Sequence, residues 1–398
     1  MRVSMLTIPG PWSGAEVHTL ALARALAERG HDVAIVELRG RRYEDALAAR
    51  PAKICYEPLD LEDRLKRPLH ELSVGAWTRA LRPLGADLGV LIKGSFLTGT
   101  WRLDLAARRS FRKYITIEHM HSPPQPRVRS THLGGLAPGL GLWWYRDKAK
   151  GWMRSLFPHR VLCVSEAVRD GLAATFSFPR RKLAPIRSGV DKAIFRPDET
   201  RRRESRAAWG VPDSALVFGA VARLSPYKNF ETAIAQFARL ADELPERDMR
   251  LVLVGEGPLR EKLEALARDR GCANRVLLPG FTNRPETAYP GFDVFVMPSR
   301  GEALGLALLE ALSCGCPAIA AGVGGVPEVI GDTHVGWLTA PGDEEGFLAA
   351  MRSAANCAPA ALVAMGRRAR DRVTCEFDSR IQFARMAEFL ENEIAGAP

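Results

Sequence analysis

Apolar positions fall into two alternating patterns along the chain. Near-continuous apolar runs occur at RVSMLTI (2–8), DVAIVEL (32–38), ADLGVLIKG (86–94), KYITIEHM (113–120) and HRVLCVSEAV (159–168). Between the first two lies AEVHTLALARALAERG (15–30), where Leu20, Ala23 or Arg24, and Ala27 keep helical spacing until Gly30 stops the helix. Unbroken apolar strands separated by helices predict a parallel sheet covered on both faces. The pattern restarts near residue 213. ALVFGAVARL (215–224), MRLVLVGEGP (249–258), NRVLLPGF (274–281), FDVFVMPS (292–299) and CPAIAAG (316–322) read as strands, with NFETAIAQFARLADEL (229–244) as the first helix. The intervening RSGVDKAIFRPDETRRRESRAAWGVP (187–212) is charged and proline-bearing, and reads as a linker.

The predicted fold class is therefore α/β, with two Rossmann-like doubly wound domains facing a central cleft. The expected domains are 1–190 and 191–375, with a last helix over 376–398 packing back on the first. Ligands of such sheets bind beyond the carboxyl ends of strands, at helix N-termini.

Composition narrows the class. The 398 residues exceed what one core usually serves, and 46% hydrophobic with 26% charged residues excludes disordered and fibrous chains. No apolar run is long enough to span a membrane, and MRVSMLTIPGPWSG has no signal-peptide stretch, so a cytoplasmic location is expected. The net charge of +10 suits nucleic acid, anionic lipid or an anionic small molecule. The basic residues are scattered and form no nucleic-acid motif, so nucleic acid is not expected as a partner. Seven cysteines at 55, 163, 272, 314, 316, 357 and 375 show no zinc spacing and read as reduced, buried thiols.

Three stretches carry chemistry. PGPWSGAE, after the first strand, holds Gly10 and Gly14, which let backbone N–H groups approach an anion; a plain strand-to-helix turn explains them equally, and no G-x-G-x-x-G follows the strand. GAVARLSPYKNF places Arg223 and Lys228 at a strand's carboxyl end, where they could hold a pyrophosphate or simply be solvated. SRGEALGLALLEALSCGCP sets Glu302 in a loop and Glu310 in the helix that follows, with Gly305 permitting the turn between them. The amides of Leu304, Gly305 and Leu306 would then point outward at the positive helix end, and Glu310 could accept from a vicinal diol such as a ribose. The plainer readings are a helix-start carboxylate for Glu302 and a solvated helix position for Glu310. Further upstream, Trp143, Trp144, Tyr145 and Trp152 interleave with Arg146, Lys148, Lys150 and Arg154. This suits an anionic membrane surface or a lipid-linked glycan, or else a helix packing its tryptophans into the core.

Taken together, these stretches resemble the retaining glycosyltransferase family 4, whose fold is termed GT-B, over nearly the whole chain. EALGLALLEALSCGCP is similar to the family's E-x7-E signature, VARLSPYKNFETAI to its G-R-L-x-x-x-K-G segment, and LVLVGEGPLREKLEALA to its G-x-G-P segment. VSEAVRDGL and IRSGVDKAIFRP resemble its domain-junction motifs, and Ser13-Gly14-Ala15-Glu16 its G-G-x-E loop. Ala303-Leu304 stands where Gly-Phe is frequent, Asn229 and Ala222 replace glycines, and Ser13 replaces the first loop glycine. The resemblance implies that Arg223 and Lys228 offset charge on the departing nucleoside diphosphate, in place of a divalent metal. It implies that Glu310 binds the ribose, that Glu302 and the amides of Leu304–Leu306 hold the sugar, and that Gly14 contributes to donor binding. His119 matches a family histidine facing the donor sugar, with His121 its neighbour.

The implied activity is retaining, hexosyltransferase-type transfer from a nucleotide-diphosphate sugar to a glycan or lipid-linked acceptor, in cell-surface polysaccharide or glycoconjugate biosynthesis. No cofactor or metal is expected, and peripheral contact with an anionic membrane remains open. Front-face attack is the expected route to retention, Glu302 being the signature carboxylate that a double displacement would need. A GT-B sugar-nucleotide epimerase and a non-catalytic sugar-nucleotide-binding protein are the alternatives.

Overall fold

The computed structural model describes residues 1–8, 14–38, 43–44, 47, 54–59, 61, 68–94, 99–119, 148–331 and 334–396. The chain forms two compact units, Met1–Ser188 with Arg380–Pro398, and Gly189–Ser379.

The first unit is built on a seven-stranded sheet in the order β3-β2-β1-β4-β5-β6-β7. Its strands are β1 (Arg2–Thr7), β2 (Asp32–Glu37), β3 (Ile54–Pro58), β4 (Leu88–Lys93), β5 (Lys113–Glu118), β6 (Arg160–Cys163) and β7 (Leu183–Pro185). All neighbours pair in parallel. Helix α1 (Gly14–Glu28) follows β1, and the final helix (Ser379–Ala395) returns to this unit. β4 is buried along its whole length although it ends on a lysine. Lys93 lies 3.1 Å from Asp104 and 3.6 Å from Glu118. Asp104 also accepts from Tyr114 (2.6 Å) and from Arg154 (2.9 Å). Such a pairing is what permits charges at this depth.

The second unit carries a six-stranded parallel sheet in the order β10-β9-β8-β11-β12-β13. The strands are β8 (Leu216–Val221), β9 (Met249–Val254), β10 (Val276–Gly280), β11 (Val294–Met297), β12 (Ala318–Ala321) and β13 (Gly336–Thr339). Strand order reverses between β8 and β11, which makes their carboxyl ends the topological switch point.

The stretch 187–212 is not the linker its composition predicts. It contains helix α2 (Glu199–Trp209), which starts where Asp198 accepts from the amides of Thr200 and Arg201. Arg206 in this helix is fully buried. Its guanidinium donates to Asp293 (2.7 Å) and to the carbonyls of Gly291, Pro212, Asp213 and Ala215. Asp293 also accepts from Arg202 and from the amide of Val217, so α2 is tied to the entrances of β8 and β11. Two further expectations are corrected. The strand ahead of Arg223 stops at Val221. Of the cysteines, Cys163, Cys272, Cys314 and Cys316 are buried, but Cys55 and Cys375 are exposed and Cys357 is intermediate.

Removing Arg206 takes one donor from Asp293 and one from each of four carbonyls. Arg206→Ala is expected to destabilise the second unit by about 3–5 kcal/mol, measured by urea unfolding. A loss under 1 kcal/mol would show that the buried guanidinium contributes little.

Candidate active site

Two loops leave the switch point of the second unit, residues 222–229 after β8 and 298–305 after β11, and they are fastened to each other. The amide of Arg300 donates to the carbonyl of Tyr227 (2.9 Å). The side chain of Asn229 donates to the carbonyl of Pro298 (3.1 Å) and accepts from Arg300 (3.1 Å). Lys228 Nζ donates to Glu302 Oε1 at 2.6 Å, and Ser299 Oγ to the same oxygen at 2.7 Å. Asn229 sits in the left-handed region (φ 54°) where a glycine would be the usual choice. Asparagine is the side chain that best tolerates this conformation, and here it adds the cross-loop bonds.

The structure thus brings Lys228 and Glu302 into direct contact. Glu302 Oε2 has no donor among the described residues. Arg223 is exposed and its guanidinium has no acceptor among them either. The loop after β12 presses on Glu302. Gly324 (φ 52°) has its backbone so close that a Cβ there would lie 1.7 Å from the carbonyl oxygen of Glu302. The sequence reading missed Gly324, although a Gly-Gly pair after a strand is a signal for close backbone approach.

Gly305 (φ 92°) turns the chain into helix α3 (Leu306–Ser313). Its carbonyl accepts from the amides of Leu308 and Leu309, while the amides of Leu304, Gly305 and Leu306 have no carbonyl partner among the described residues. The side chain of Leu304 is buried, so that this residue offers only its backbone. Glu310, inside α3, accepts from the buried Tyr289 hydroxyl at 2.5 Å through Oε2. Burial raises its carboxyl to about 7, against the Tyr289 hydrogen bond that favours the ionised form. Glu310 is half-buried and makes no ion pair among the described residues; Lys228 is bonded to Glu302.

The remaining candidates lie on the first unit. Gly14 opens α1, and His119 follows β5 with its amide on the carbonyl of Lys93 (3.0 Å). Burial lowers the His119 imidazole to about 4, leaving it neutral near pH 7. Gly10, Ser13, His121, Trp143, Trp144, Tyr145 and Arg146 lie outside the described residues. Trp152 is 57% exposed and does not pack into the core.

Two doubly wound parallel sheets, one bearing cations, carboxylates and outward amides at its switch point, define a GT-B protein. The chain belongs to the family 4 glycosyltransferases: residues 201–372 match the family "Glycosyl transferases group 1" and residues 12–193 "Glycosyltransferase Family 4". It is similar to D-inositol 3-phosphate glycosyltransferase of Stackebrandtia nassauensis, with 29% identity over 389 residues, covering 90% of this chain and 83% of that one. It is 32% identical over 247 residues to sulfoquinovosyl transferase SQD2 of Arabidopsis thaliana, spanning 60% of this chain but only 46% of the plant protein. Among solved structures, Anabaena HepE in complex with UDP and glucose has the same fold. Its TM-score is 0.77 at 18% identity, over 98% of this chain and 100% of that one.

Tyr289→Phe removes the hydrogen bond that holds Glu310 Oε2. The Glu310 carboxyl is expected to titrate higher than about 7, read by NMR of carboxyl-labelled protein. An unchanged or lowered midpoint would show that Tyr289 does not stabilise the carboxylate.

Proposed function

We propose that the protein is a retaining glycosyltransferase that moves a hexose from a nucleotide-diphosphate sugar to a glycan or lipid-linked acceptor. The observation that carries this reading is the fastened pair of loops at the β8/β11 switch point. They bear a Lys228–Glu302 pair, and an Arg223 guanidinium and three amides ahead of α3 that have no partner among the described residues. The donor's diphosphate meets Arg223, Lys228 and the helix N-terminus, and these offset the charge that grows as the nucleotide departs. That leaves no step requiring a resident metal. Glu302 Oε2 and the amides of Leu304–Leu306 hold the sugar hydroxyls, and the free oxygen of Glu310 accepts from the ribose. For Gly14 and the neutral His119 the proposal keeps the donor-side roles that the family resemblance implies.

The anchoring of Glu302 favours front-face departure and attack. Its Oε1 is held by Lys228 and Ser299, and a carboxylate so paired is a weak nucleophile for a double displacement. The acceptor hydroxyl attacks from the side the diphosphate leaves, and a phosphate oxygen takes its proton. A solved structure of this fold that holds UDP and glucose supports a sugar-nucleotide donor, and the relative named for D-inositol 3-phosphate supports a phosphorylated acceptor. In keeping with this, we propose a cytoplasmic enzyme with peripheral contact to an anionic membrane, where the exposed Trp152, Leu156 and Lys150 suit a headgroup layer.

Lys228→Ala and Glu302→Gln are each expected to lower kcat by about 10²–10³-fold, with donor and product followed by mass spectrometry. Full transfer by both variants would overturn the assignment. A converted sugar nucleotide without an acceptor would instead indicate an epimerase. Donor affinity should rise with pH through about 7 as Glu310 ionises, and this dependence should be lost in Glu310→Gln, by calorimetric titration.

A further inference from the structure

A second histidine packs against His119. His18, in the first turns of α1, is 1% exposed. Its ring centroid lies 4.5 Å from that of His119 with the planes at 88°, and 4.9 Å from Phe383 of the final helix at 68°. None of the four ring nitrogens of the two histidines has a hydrogen-bond partner among the described residues. A functional imidazole is ordinarily oriented by a carboxylate or carbonyl on its far nitrogen. His119 has no ring hydrogen bond to such a partner among the described residues; the carbonyl of Lys93, which accepts from its amide, lies near enough to the ring to favour its protonated form without bonding it. Its ring is set by packing, and the ring it packs against is that of His18.

The support continues outward. Phe383 belongs to a helix clamped at its far end: Glu391 accepts from Arg29 (2.8 and 2.6 Å) and contacts His31 (2.6 Å), and Glu393 accepts from Arg160 (2.8 Å). Helix α1 and the final helix therefore meet at both ends, through His18–Phe383 and through Arg29–Glu391. A buried aromatic contact between them leaves His18 little freedom to turn.

We propose that His18 is a positioning residue for His119: it holds the imidazole edge-to-face at the carboxyl end of β5, with Phe383 bracing His18 from the final helix. The catalytic consequence rests on the reading that His119 meets the donor sugar. A loosened ring at a reacting centre lowers turnover on the order of 10- to 100-fold without weakening uniform binding.

The test compares His18→Leu, His18→Phe and Phe383→Leu in the full chain, with isotope-labelled histidine and the His119 signal assigned through His119→Gln. His18→Leu is expected to displace the His119 ring signals and to lower kcat on the order of 10- to 100-fold, with donor KM unchanged. His18→Phe should restore both, since it keeps an aromatic ring in place. Phe383→Leu should displace the signals in the same direction, and it tests the support if His18→Leu does not fold. Unmoved His119 signals together with wild-type kcat overturn the proposal. A His18→Phe variant as impaired as His18→Leu overturns the packing role, because a nitrogen would then be what matters. Displaced signals with wild-type kcat overturn instead the reading of His119 as a residue on the donor sugar, while the contact itself stands.

Discussion

The 2.6 Å contact between Lys228 and Glu302 is the constraint on which the site is organised. The two residues are 74 positions apart in sequence, but β8 and β11 are neighbours in the sheet, so their exits are adjacent. An ion pair between partly covered side chains adds little stability by itself. Its value here is positional. It fixes which loop atoms stand side by side, and the bonds of Asn229 and Arg300 tie the two loops together. The requirement then spreads outward. Gly324 must lack a side chain because its loop lies against Glu302, and α2 must brace the opposite ends of β8 and β11 through Asp293.

The two glutamates of the site share a division of labour between their oxygens. Glu302 commits Oε1 to Lys228 and Ser299, and Glu310 commits Oε2 to Tyr289. In each, the bound oxygen sets the orientation and the other has no hydrogen-bond donor among the described residues. Their electrostatic surroundings differ. Glu302 is matched with a cation, whereas Glu310 is half-buried against a phenol and rises to about 7. A carboxyl raised above its unfolded value of 4.5 disfavours folding as pH climbs from that value towards about 7, because the folded state holds the proton more tightly. The fold tolerates this strain at a position where a hydroxyl-bearing ligand would relieve it.

Much of this was legible in the sequence. The apolar runs located β1, β2, β4, β5 and β6 of the first sheet and β8 to β12 of the second, because strands covered on both faces leave a continuous apolar trace. β3 and β13 escaped for the same reason inverted. Their sides are less covered, as in the half-buried ICYEP and GWLT, so the trace is broken. β7 is largely buried but spans only three residues, too few to leave a trace. Helix α2 escaped because its composition is that of a solvated segment. Arg206 looks like one more surface cation until Asp293, 87 residues on, supplies the partner that allows its burial. The Arg223, Lys228, Glu302, Glu310 set was readable from motif spacing. What spacing could not carry was the pairing of Lys228 with Glu302, the phenol against Glu310, and the burial of His18. These are contacts between elements far apart in sequence, and only the register of the sheet and the path of the last helix create them.

That last helix changes what the first unit is. Residues 380–398 group with the first 188, although helix Pro359–Glu376 just before them lies in the other unit. The attachment is electrostatic at one end and aromatic at the other. Glu391, hydrogen-bonded by Arg29 and by His31, is held down at about 2, well below the ordinary 4.5. A depressed carboxylate contributes its stability above its unfolded value and loses it as pH falls through the folded one. The Arg29–Glu391 part of the clamp is therefore at full strength from above about 4.5 upward, throughout the range in which Glu310 exchanges its proton. Two carboxyls of the chain are thus held at opposite ends of their range. The raised one sits half-buried beside a neutral phenol, and the depressed one sits under an arginine, where protonation near neutral pH cannot release the helix that packs on His18.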